Sequence, residues 1–325
     1  MASTTGITPI EQTYREESGR IVATLIRVFG DFDLAEDSVQ EAFEIAIEKW
    51  PEYGYPDNPG AWITTTARRR AIDKLRRRRT YDEKVEQVHA MAAIQSTVIE
   101  PDDDGDTLYD DRLRLIFTCC HPALAREAQV ALTLKTLGGL STPGVASAFL
   151  VPEPTMAQRI VRAKRKIKQA AIPYRVPPDE ELSPRLDSVL AVLYLVFNEG
   201  YGASAGDSLI RQELCEEAIR LTRVLASLMT EQPEVKGLLA LMLLQDFRRE
   251  ARTDSSGDIV LLEEQDRSSW NHAHISEGQA LVQEALATGE AGQYQFQAAI
   301  AAVHSEAARA EDTDWPQIAG VISRA

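Results

Sequence analysis

The residues between 62 and 79 carry the densest set of groups able to bind an anionic polymer. Eight of them are basic and only Asp73 is acidic. Guanidinium and ammonium groups bind the phosphates of a nucleic-acid backbone. A solvated basic face is the alternative, but so many cations in an acidic chain favour nucleic-acid contact. The basic residues are Arg68, Arg69, Arg70, Lys74, Arg76, Arg77, Arg78 and Arg79.

A second set of cations follows a turn that is typical of DNA-reading motifs. The sequence predicts a short helix from Pro143 to Leu150 capped by Thr142, a turn at 151–154, and a longer helix that opens at Thr155. In such motifs the first turns of the second helix reach base edges, and flanking cations hold phosphates. An amphipathic surface helix is the alternative. The cations are Arg159, Arg162, Lys164, Arg165, Lys166 and Lys168, with no acid among them.

Helical periodicity predicts the elements that position both segments. Apolar residues from Ile21 to Trp50 recur at steps of three and four, which indicates two helices separated by a turn at 30–33 with acidic capping residues. Residues 51–60 read as a loop, and 172–184 as an extended, proline-rich hinge. Four or five amphipathic helices follow. No alternating strand pattern of useful length occurs, so we expect an all-α protein.

Apolar stripes give each basic helix an inner face. In the turn motif, Ile160, Val161 and Ile167 are expected to face inward. The stripe of the first basic helix is Trp62, Ile63, Ala67, Ala71, Ile72 and Leu75.

Composition excludes several classes of protein. The chain has 325 residues, a net charge of −15 and 44% hydrophobic residues, which rules out wholesale disorder. No apolar run approaches the ~18 residues of a membrane span. Three cysteines cannot build a disulfide framework, which fits a reducing cytoplasm. The charge is uneven: residues 110–175 hold 11 basic and 4 acidic side chains, and residues 176–325 hold 11 and 25.

Three ordered stretches resemble bacterial RNA polymerase sigma factors of the extracytoplasmic-function type. They are DLAEDSVQEAFEIAIEKW (33–50), PGAWITTTARRRAIDKLRRRR (59–79) and LTLKTLGGLSTPGVASAFLVPEPTMAQRIVRAKRKI (132–167). The chain also resembles the subgroup that continues into a tetratricopeptide-like helical extension. That narrower likeness rests on IFTCCHPALA (116–125), IPYRVP (172–177), FNEGY (197–201) and YQFQAAIAAVH (294–304).

The resemblance implies a role for each set of residues. The polymerase clamp would bind the helix that carries Asp37, Gln40, Glu41 and Phe43. Gln40 and Phe43 lie three positions apart and are both expected to touch the partner. A Phe43→Ala, Gln40→Ala variant is therefore expected to bind polymerase more weakly and to keep its fold. Arg69 stands where family members commonly have Asn, which leaves the base preference at the −10 element open. The −10 set is Trp62, Arg68, Arg69, Arg70, Lys74, Arg76 and Arg77. The −35 set is Thr155, Gln158, Arg159, Arg162, Lys164, Arg165 and Lys168.

The same resemblance implies a domain organisation. We expect a domain that binds core polymerase and the −10 element at 8–90, a flexible acidic linker at 91–107, and a −35-binding helix-turn-helix domain at 108–172. A proline-rich hinge at 173–184 would lead to a helical, tetratricopeptide-like regulatory extension at 185–325. Such extensions usually run longer, so the last helix pair is expected to be incomplete, as in a truncated product.

Other chemistry has little support. Cys119, Cys120 and His121 lack the spaced ligand pairs of a zinc site, so core packing is expected for the cysteines. The spacing of His272 and His274 could suit a metal ion, but no cysteine lies near them in the sequence, so a metal site there is a remote alternative. A nuclease acting through the acids of the linker is a remote alternative, since such acids more often solvate a linker. Those acids are Asp102, Asp103, Asp104 and Asp106.

The sequence therefore predicts a cytoplasmic sigma factor controlled by its own extension, without catalytic residues, metal or cofactor. The expected partners are core RNA polymerase, promoter DNA and a protein or peptide ligand of the extension, with no membrane. A stand-alone helix-turn-helix regulator with a helical sensor domain is the alternative.

Overall fold

The chain is helical throughout the part that the structure describes, which confirms the predicted all-α fold. The computed structural model describes residues 8–82, 105–201, 212–254 and 258–323, except 288, 290 and 308. These residues contain no strand, only an isolated antiparallel bridge between Thr253 and Ile259. No described helix is long and apolar enough to cross a membrane.

The α-helices follow one another along the described parts of the chain. They are α1 Pro9–Phe29, α2 Phe32–Tyr53, α3 Pro59–Asp82, α4 Gly105–Cys119, α5 Arg126–Leu132, α6 Thr142–Ala148, α7 Glu153–Gln169, α8 Asp179–Tyr201, α9 Gln212–Leu228, α10 Pro233–Asp246, α11 His272–Leu286, α12 Gln293–Glu306 and α13 Trp315–Ile322. A π-helical turn, Thr133–Leu137, continues α5. Short 3-10 turns occur at Arg249–Ala251, Arg267–Ser269 and Ala310–Asp312.

The chain path divides into two compact units that interleave in sequence. The first comprises residues up to 142 together with 157–178, and the second comprises 143–156 together with 179 onward. Most of both predicted DNA-binding domains therefore lies in the first unit. The short helix α6 and the start of α7 group with the extension. The domain boundaries expected from the sequence stay predictions.

Local signals in the sequence account for the first three helices. Thr8 and Glu11 form a capping box at the start of α1, and Gly30 ends that helix at a φ of 66°. The Asp31 side chain then accepts a hydrogen bond from the Leu34 amide and caps α2, which confirms the expected acidic cap. Asn58 caps α3 by accepting from the Ala61 amide.

Close packing joins α1 to α4, to the π-helical turn and to Tyr174. A Cβ atom added at Gly19 would lie 2.5 Å from the carbonyl oxygen of Leu137, so α1 approaches the π-helical turn backbone to backbone. The Asp111 carboxylate of α4 is fully buried and contacts Arg27 Nε at 2.8 Å and Arg114 Nη1 at 2.9 Å. The Tyr174 hydroxyl lies 2.8 Å from the Ala23 carbonyl oxygen and 3.2 Å from that of Asp111.

The extension is built around α10. Nearly every residue from Val235 to Leu244 is buried, so α10 is apolar on all sides and must be surrounded. Small residues permit the close approach of its neighbours: Gly278 of α11 lies against Leu244, and Gly237 of α10 lies against Gln295 of α12. Helix pairs that share a central core follow from this packing. The tetratricopeptide-like label for them stays a prediction.

The secondary structure of three segments differs from the expectation. The hinge at 173–184 ends early, because α8 begins at Asp179 and includes Pro184. Three acidic residues in the first turn of α8 stabilise its positive N-terminal end. The linker at 91–107 gives way to α4 at Gly105, while residues 91–104 lie outside the described part. The loop at 51–60 shrinks, since α2 runs to Tyr53 and α3 starts at Pro59.

Candidate nucleic-acid interface

Helix α3 separates its apolar and basic faces as its sequence predicts. Ile63, Ala67 and Ala71 have no exposed surface. Arg69, Arg76 and Arg77 are exposed, and the side chains of the other expected −10 residues are half-buried. The side chains of Arg78 and Arg79 lie outside the described part. The helix thus presents several cations along one face, as phosphate binding requires.

An aromatic group lies at the N-terminal end of α3. The Trp62 ring is 5.5 Å from that of Trp50, which in turn is 5.4 Å from the Tyr55 ring. Trp50 is buried, whereas Tyr55 is 49% exposed and Tyr53 is 76% exposed. Exposed aromatic rings next to cations can stack on unpaired bases. The sequence had marked Trp62 alone; the tyrosines were missed because they fall in a segment that reads as a loop.

Ion pairs connect helices α2 and α3. Lys74 Nζ lies 2.9 Å from Glu41 Oε1 and 3.8 Å from Asp37 Oδ2. Lys74, which is expected to bind the −10 element, therefore contacts Asp37 and Glu41, which are expected to bind polymerase. Asp37 and Gln40 are exposed, and Glu41 is half-buried. These three form the acidic and polar face of α2.

Phe43, the fourth member of that set, lies inside the core. Its side chain is 4% exposed, and its ring packs edge-on against Tyr14 at a centroid distance of 4.8 Å. The expectation that Phe43 touches a partner directly was wrong for this arrangement. Gln40 and Phe43 are three residues apart, but α1 covers the side of α2 on which Phe43 lies.

The helix-turn-helix order is present, with shifted bounds. Helix α6 ends at Ala148, and α7 begins at Glu153, two residues before the expected start at Thr155. Pro154 stands in the first turn of α7, where a missing amide hydrogen costs little. The turn therefore spans 149–152, and Glu153 adds one acid to the start of α7.

Most of the expected −35 residues point outward from α7. The buried side of the helix holds Met156, Ile160, Ala163 and Ile167, which follow one another at helical spacing. Val161 is 53% exposed, so its expected inward orientation was wrong. Arg159 is half-buried. The exposed members of the expected set are Thr155, Gln158, Arg162, Arg165 and Lys168.

Lys164 is the exception, because its side chain turns toward α2. Its Nζ atom lies 2.7 Å from Asp33 Oδ1 and 3.0 Å from Glu36 Oε2, and the side chain is only 12% exposed. Burial alone would lower the pKa of Lys164, but the Glu36 carboxylate and the hydrogen bonds that Lys164 donates to Asp33 and Glu36 raise it overall. The expected phosphate contact is therefore not available to Lys164 in this arrangement.

The cysteines belong to the core, as expected. Cys119, Cys120 and Cys215 are free and buried. Burial raises the pKa of Cys119 well above its ordinary value and that of Cys215 to about 12, which keeps both thiols protonated. Among the described residues no cluster of three or more His, Cys, Asp and Glu could hold a metal ion. Asp102, Asp103 and Asp104 lie outside the described part, and Asp106 lies in α4.

The extension contains a cavity of about 270 Å³ between α10 and α12. Most of the residues that line it are apolar, among them Leu241, Leu244 and Ile300. Arg248 and His304 also line it and supply a charged and a polar group. Burial and the charges of Arg248 and Arg267 lower the pKa of His304. No sequence pattern marks this cavity, because its residues are spread over some 60 positions that only the helix packing brings together.

Comparisons with protein families match three consecutive parts of the chain. Residues 13–81 match sigma-70 region 2, and residues 114–167 match sigma-70 region 4. Residues 185–286 match a family of unknown function, DUF6596. The first two matches cover α1–α3 and the helices from α4 to α7. The third covers most of the extension.

Two individual relatives match different lengths of the chain. An uncharacterized protein of Rhizobium meliloti, R00370, is 43% identical over 299 residues, which is 91% of this chain and 70% of that protein. The probable ECF RNA polymerase sigma factor SigI of Mycobacterium tuberculosis is 26% identical over 170 residues, 52% of this chain and 58% of SigI. This chain therefore spans less than two thirds of the length of SigI. No solved structure matches significantly.

The burial of Phe43 yields a stability prediction. Phe43→Ala should lower the free energy of unfolding by about 3–5 kcal/mol, because a large core side chain is lost. Gln40→Ala, on the exposed face of the same helix, should change it by less than about 0.5 kcal/mol. Urea unfolding followed by circular dichroism measures both. Equal stability of the two variants would contradict the placement of Phe43 in the core.

Proposed function

We propose that this chain, which belongs to the same family as the Rhizobium meliloti protein and matches sigma-70 regions 2 and 4, is a sigma factor that binds core RNA polymerase and directs it to promoters. The observation that carries this proposal is the pairing of α2 with α3. One helix offers an exposed acidic and polar face, and the other offers a row of cations beside aromatic rings. A protein that binds only DNA requires the basic face of α3. It does not require the acidic and polar face of α2.

Polymerase would bind through the exposed face of α2. Asp37 and Gln40 are accessible there, and Lys74 holds Glu41 in place beside them. Phe43 supports this face from beneath by fixing α2 on α1. The alternative, a stand-alone helix-turn-helix regulator, predicts no polymerase binding by this surface.

Co-elution with purified core polymerase distinguishes the two. We expect an Asp37→Ala, Gln40→Ala double variant to fold normally and to be recovered with polymerase several-fold less than the unaltered chain. Lys49→Ala is the control, because Lys49 is exposed on the opposite side of α2 from Gln40. Recovery of the double variant equal to that of Lys49→Ala would favour the stand-alone regulator.

Promoter reading would be divided between α3 and α7. The cations and aromatic rings of α3 suit the −10 element, where the strands open and unstacked bases meet rings. The exposed side chains of α7 suit the major groove of the −35 element. Within α7, Arg162 lies nearer the start of the helix and Lys168 near its end, so Arg162 is proposed to read a base and Lys168 to bind a phosphate.

This division predicts two different losses of DNA affinity. Arg162→Ala should cost roughly 1–3 kcal/mol and relax specificity at one base pair of the −35 element. Lys168→Ala should weaken binding to every sequence alike and reduce the salt slope by about 1. Binding of the sigma–polymerase complex to a panel of altered −35 sequences at several salt concentrations measures both. Identical profiles for the two variants would contradict the division.

The extension is proposed to control the activity of the DNA-binding part. Residues 143–156, which hold α6 and the turn before α7, belong to the same compact unit as the extension. Val145, Ala146 and Ala148 of α6 are buried. Removal of the extension would therefore take away the rest of the unit to which α6 belongs, which favours an activating role.

A ligand of the extension is proposed to bind in the cavity between α10 and α12. The walls would accept an apolar side chain, and Arg248 at the corner would pair with an acidic group. An apolar, acidic peptide segment has this chemistry. Ile300 lines this cavity and also the neighbouring groove that contains Phe296 and Ile322. A charge at position 300 would obstruct both.

Transcription assays separate these two roles of the extension. Residues 1–178 alone should lose promoter-specific transcription at matched polymerase occupancy, whereas Ile300→Asp should retain it with purified components and lose induction of a reporter in cells. Gln293→Ala, at the rim of the groove, is the control. Equal activity of residues 1–178 and the whole chain would reject control by the extension. Normal induction of the Ile300→Asp variant would reject the cavity as the ligand site.

A further inference from the structure

Val161 is an apolar side chain on the outer, cationic face of α7. It is 53% exposed. The neighbours one turn to either side of it, Gln158 and Arg165, are exposed and polar or charged. Valine also has a lower helix propensity than alanine, because its branched side chain loses rotamer freedom in a helix. The stability of the folded chain therefore does not require a valine at this position.

Helical geometry places Val161 where it would reach the bases of a major groove. Successive residues of an α-helix are turned by about 100° around the helix axis. Gln158 and Arg165 lie roughly opposite the buried stripe of α7 and define the centre of its outer face. Val161 and Arg162 lie roughly 50° to either side of that centre. With the outer face turned toward the base pairs, both side chains point to the floor of the groove.

The chemistry of the groove floor favours one partner for such a side chain. The edges of adenine, guanine and cytosine present hydrogen-bond donors and acceptors, and thymine adds the C5-methyl group. Valine can neither donate nor accept a hydrogen bond, so packing it on a polar edge would remove water without replacing it. Against a thymine methyl group, two apolar surfaces leave water together. A thymine is therefore the base that Val161 suits.

We propose that Val161 is a specificity-determining residue that contacts the C5-methyl group of a thymine in the −35 element. This inference rests on the proposed function, because it takes α7 as the helix that enters the major groove. It gives α7 an apolar base contact beside the hydrogen-bonding one proposed for Arg162. A helix is about 10–12 Å across with its side chains, so the two bases should lie within about three base pairs of each other at 3.4 Å per base pair.

Val161→Ala removes this contact with little risk to the fold. The position is exposed and helical, and alanine favours a helix more than valine does, so the unfolding temperature should not fall. Val28→Ala is the matched control. Val28 is 39% exposed on α1, outside the proposed interface, and the same atoms are removed there. Circular dichroism checks that both variants are folded.

Selection from promoters randomised in the −35 element identifies the thymine. The whole chain is bound to core polymerase, and the retained DNA is sequenced. The unaltered chain should enrich a thymine at one position within about three base pairs of the base that Arg162→Ala affects. Val161→Ala should lose that enrichment and keep the preferences at the other positions. Val28→Ala should keep all of them.

Replacement of the selected thymine by deoxyuridine removes only the methyl group. The complex with the unaltered chain should then bind the selected DNA about 4-fold more weakly, as expected for one buried methyl group. That change is about 0.8 kcal/mol at 1.4 kcal/mol per factor of ten. The complex with Val161→Ala should bind the thymine and deoxyuridine DNAs equally. Fluorescence anisotropy of labelled DNA measures all four affinities.

The outcomes separate the role of Val161 from the proposed function. A methyl effect that persists in Val161→Ala, or none at any thymine, would overturn the inference, while relaxed specificity in Arg162→Ala would leave the proposed function standing. Weaker recovery of Val161→Ala with polymerase in the absence of DNA would assign Val161 to a protein contact and also overturn the inference. If the polymerase complex selects no −35 sequence, the proposed function fails, and the role of Val161 fails with it.

Discussion

The first unit depends on a carboxylate that has no contact with water. Asp111 of α4 is fully buried, and its charge is compensated by Arg27 from α1 and Arg114 from α4. A buried ion that lost these partners would cost several kcal/mol. The pairing therefore fixes α4 against α1, and the close approach of Gly19 to Leu137 extends the same alignment to the π-helical turn. Separate contacts, those of Lys164 with Asp33 and Glu36, place α7 beside α2.

Charge is distributed so that cations are outermost where a polyanion would approach. The exposed arginines of α3 and α7 lie in a chain whose net charge is −15. At a distance such a chain is repelled by DNA, and attraction begins only within about one Debye length, roughly 10 Å at 0.1 M salt. Orientation on approach is thus part of recognition, because only the basic faces can reach the phosphates.

Periodicity and capping residues were enough to predict the helices, because those signals act within a few residues along the chain. The inner stripe of α3 and the acidic cap of α2 are examples. The orientation of Lys164 and the burial of Phe43 could not be predicted in the same way. Each depends on which neighbouring helix covers that side, and Lys164 meets carboxylates more than 120 positions away. Pro184 misled for a different reason: the buried apolar side of α8, with Leu186, Val189 and Leu190, stabilises the helix despite one missing hydrogen bond.

The interleaving of the two units has a consequence for synthesis on the ribosome. Residues 143–156 belong to the unit whose remaining residues begin at 179. When α7 leaves the ribosome, the core of that unit, α10, has not yet been made. Domains generally fold in the order in which they are synthesised, but here a segment from the middle of the chain must wait for the end. The segment that holds α6, the first helix of the helix-turn-helix, therefore completes its packing last, after α10 has been made.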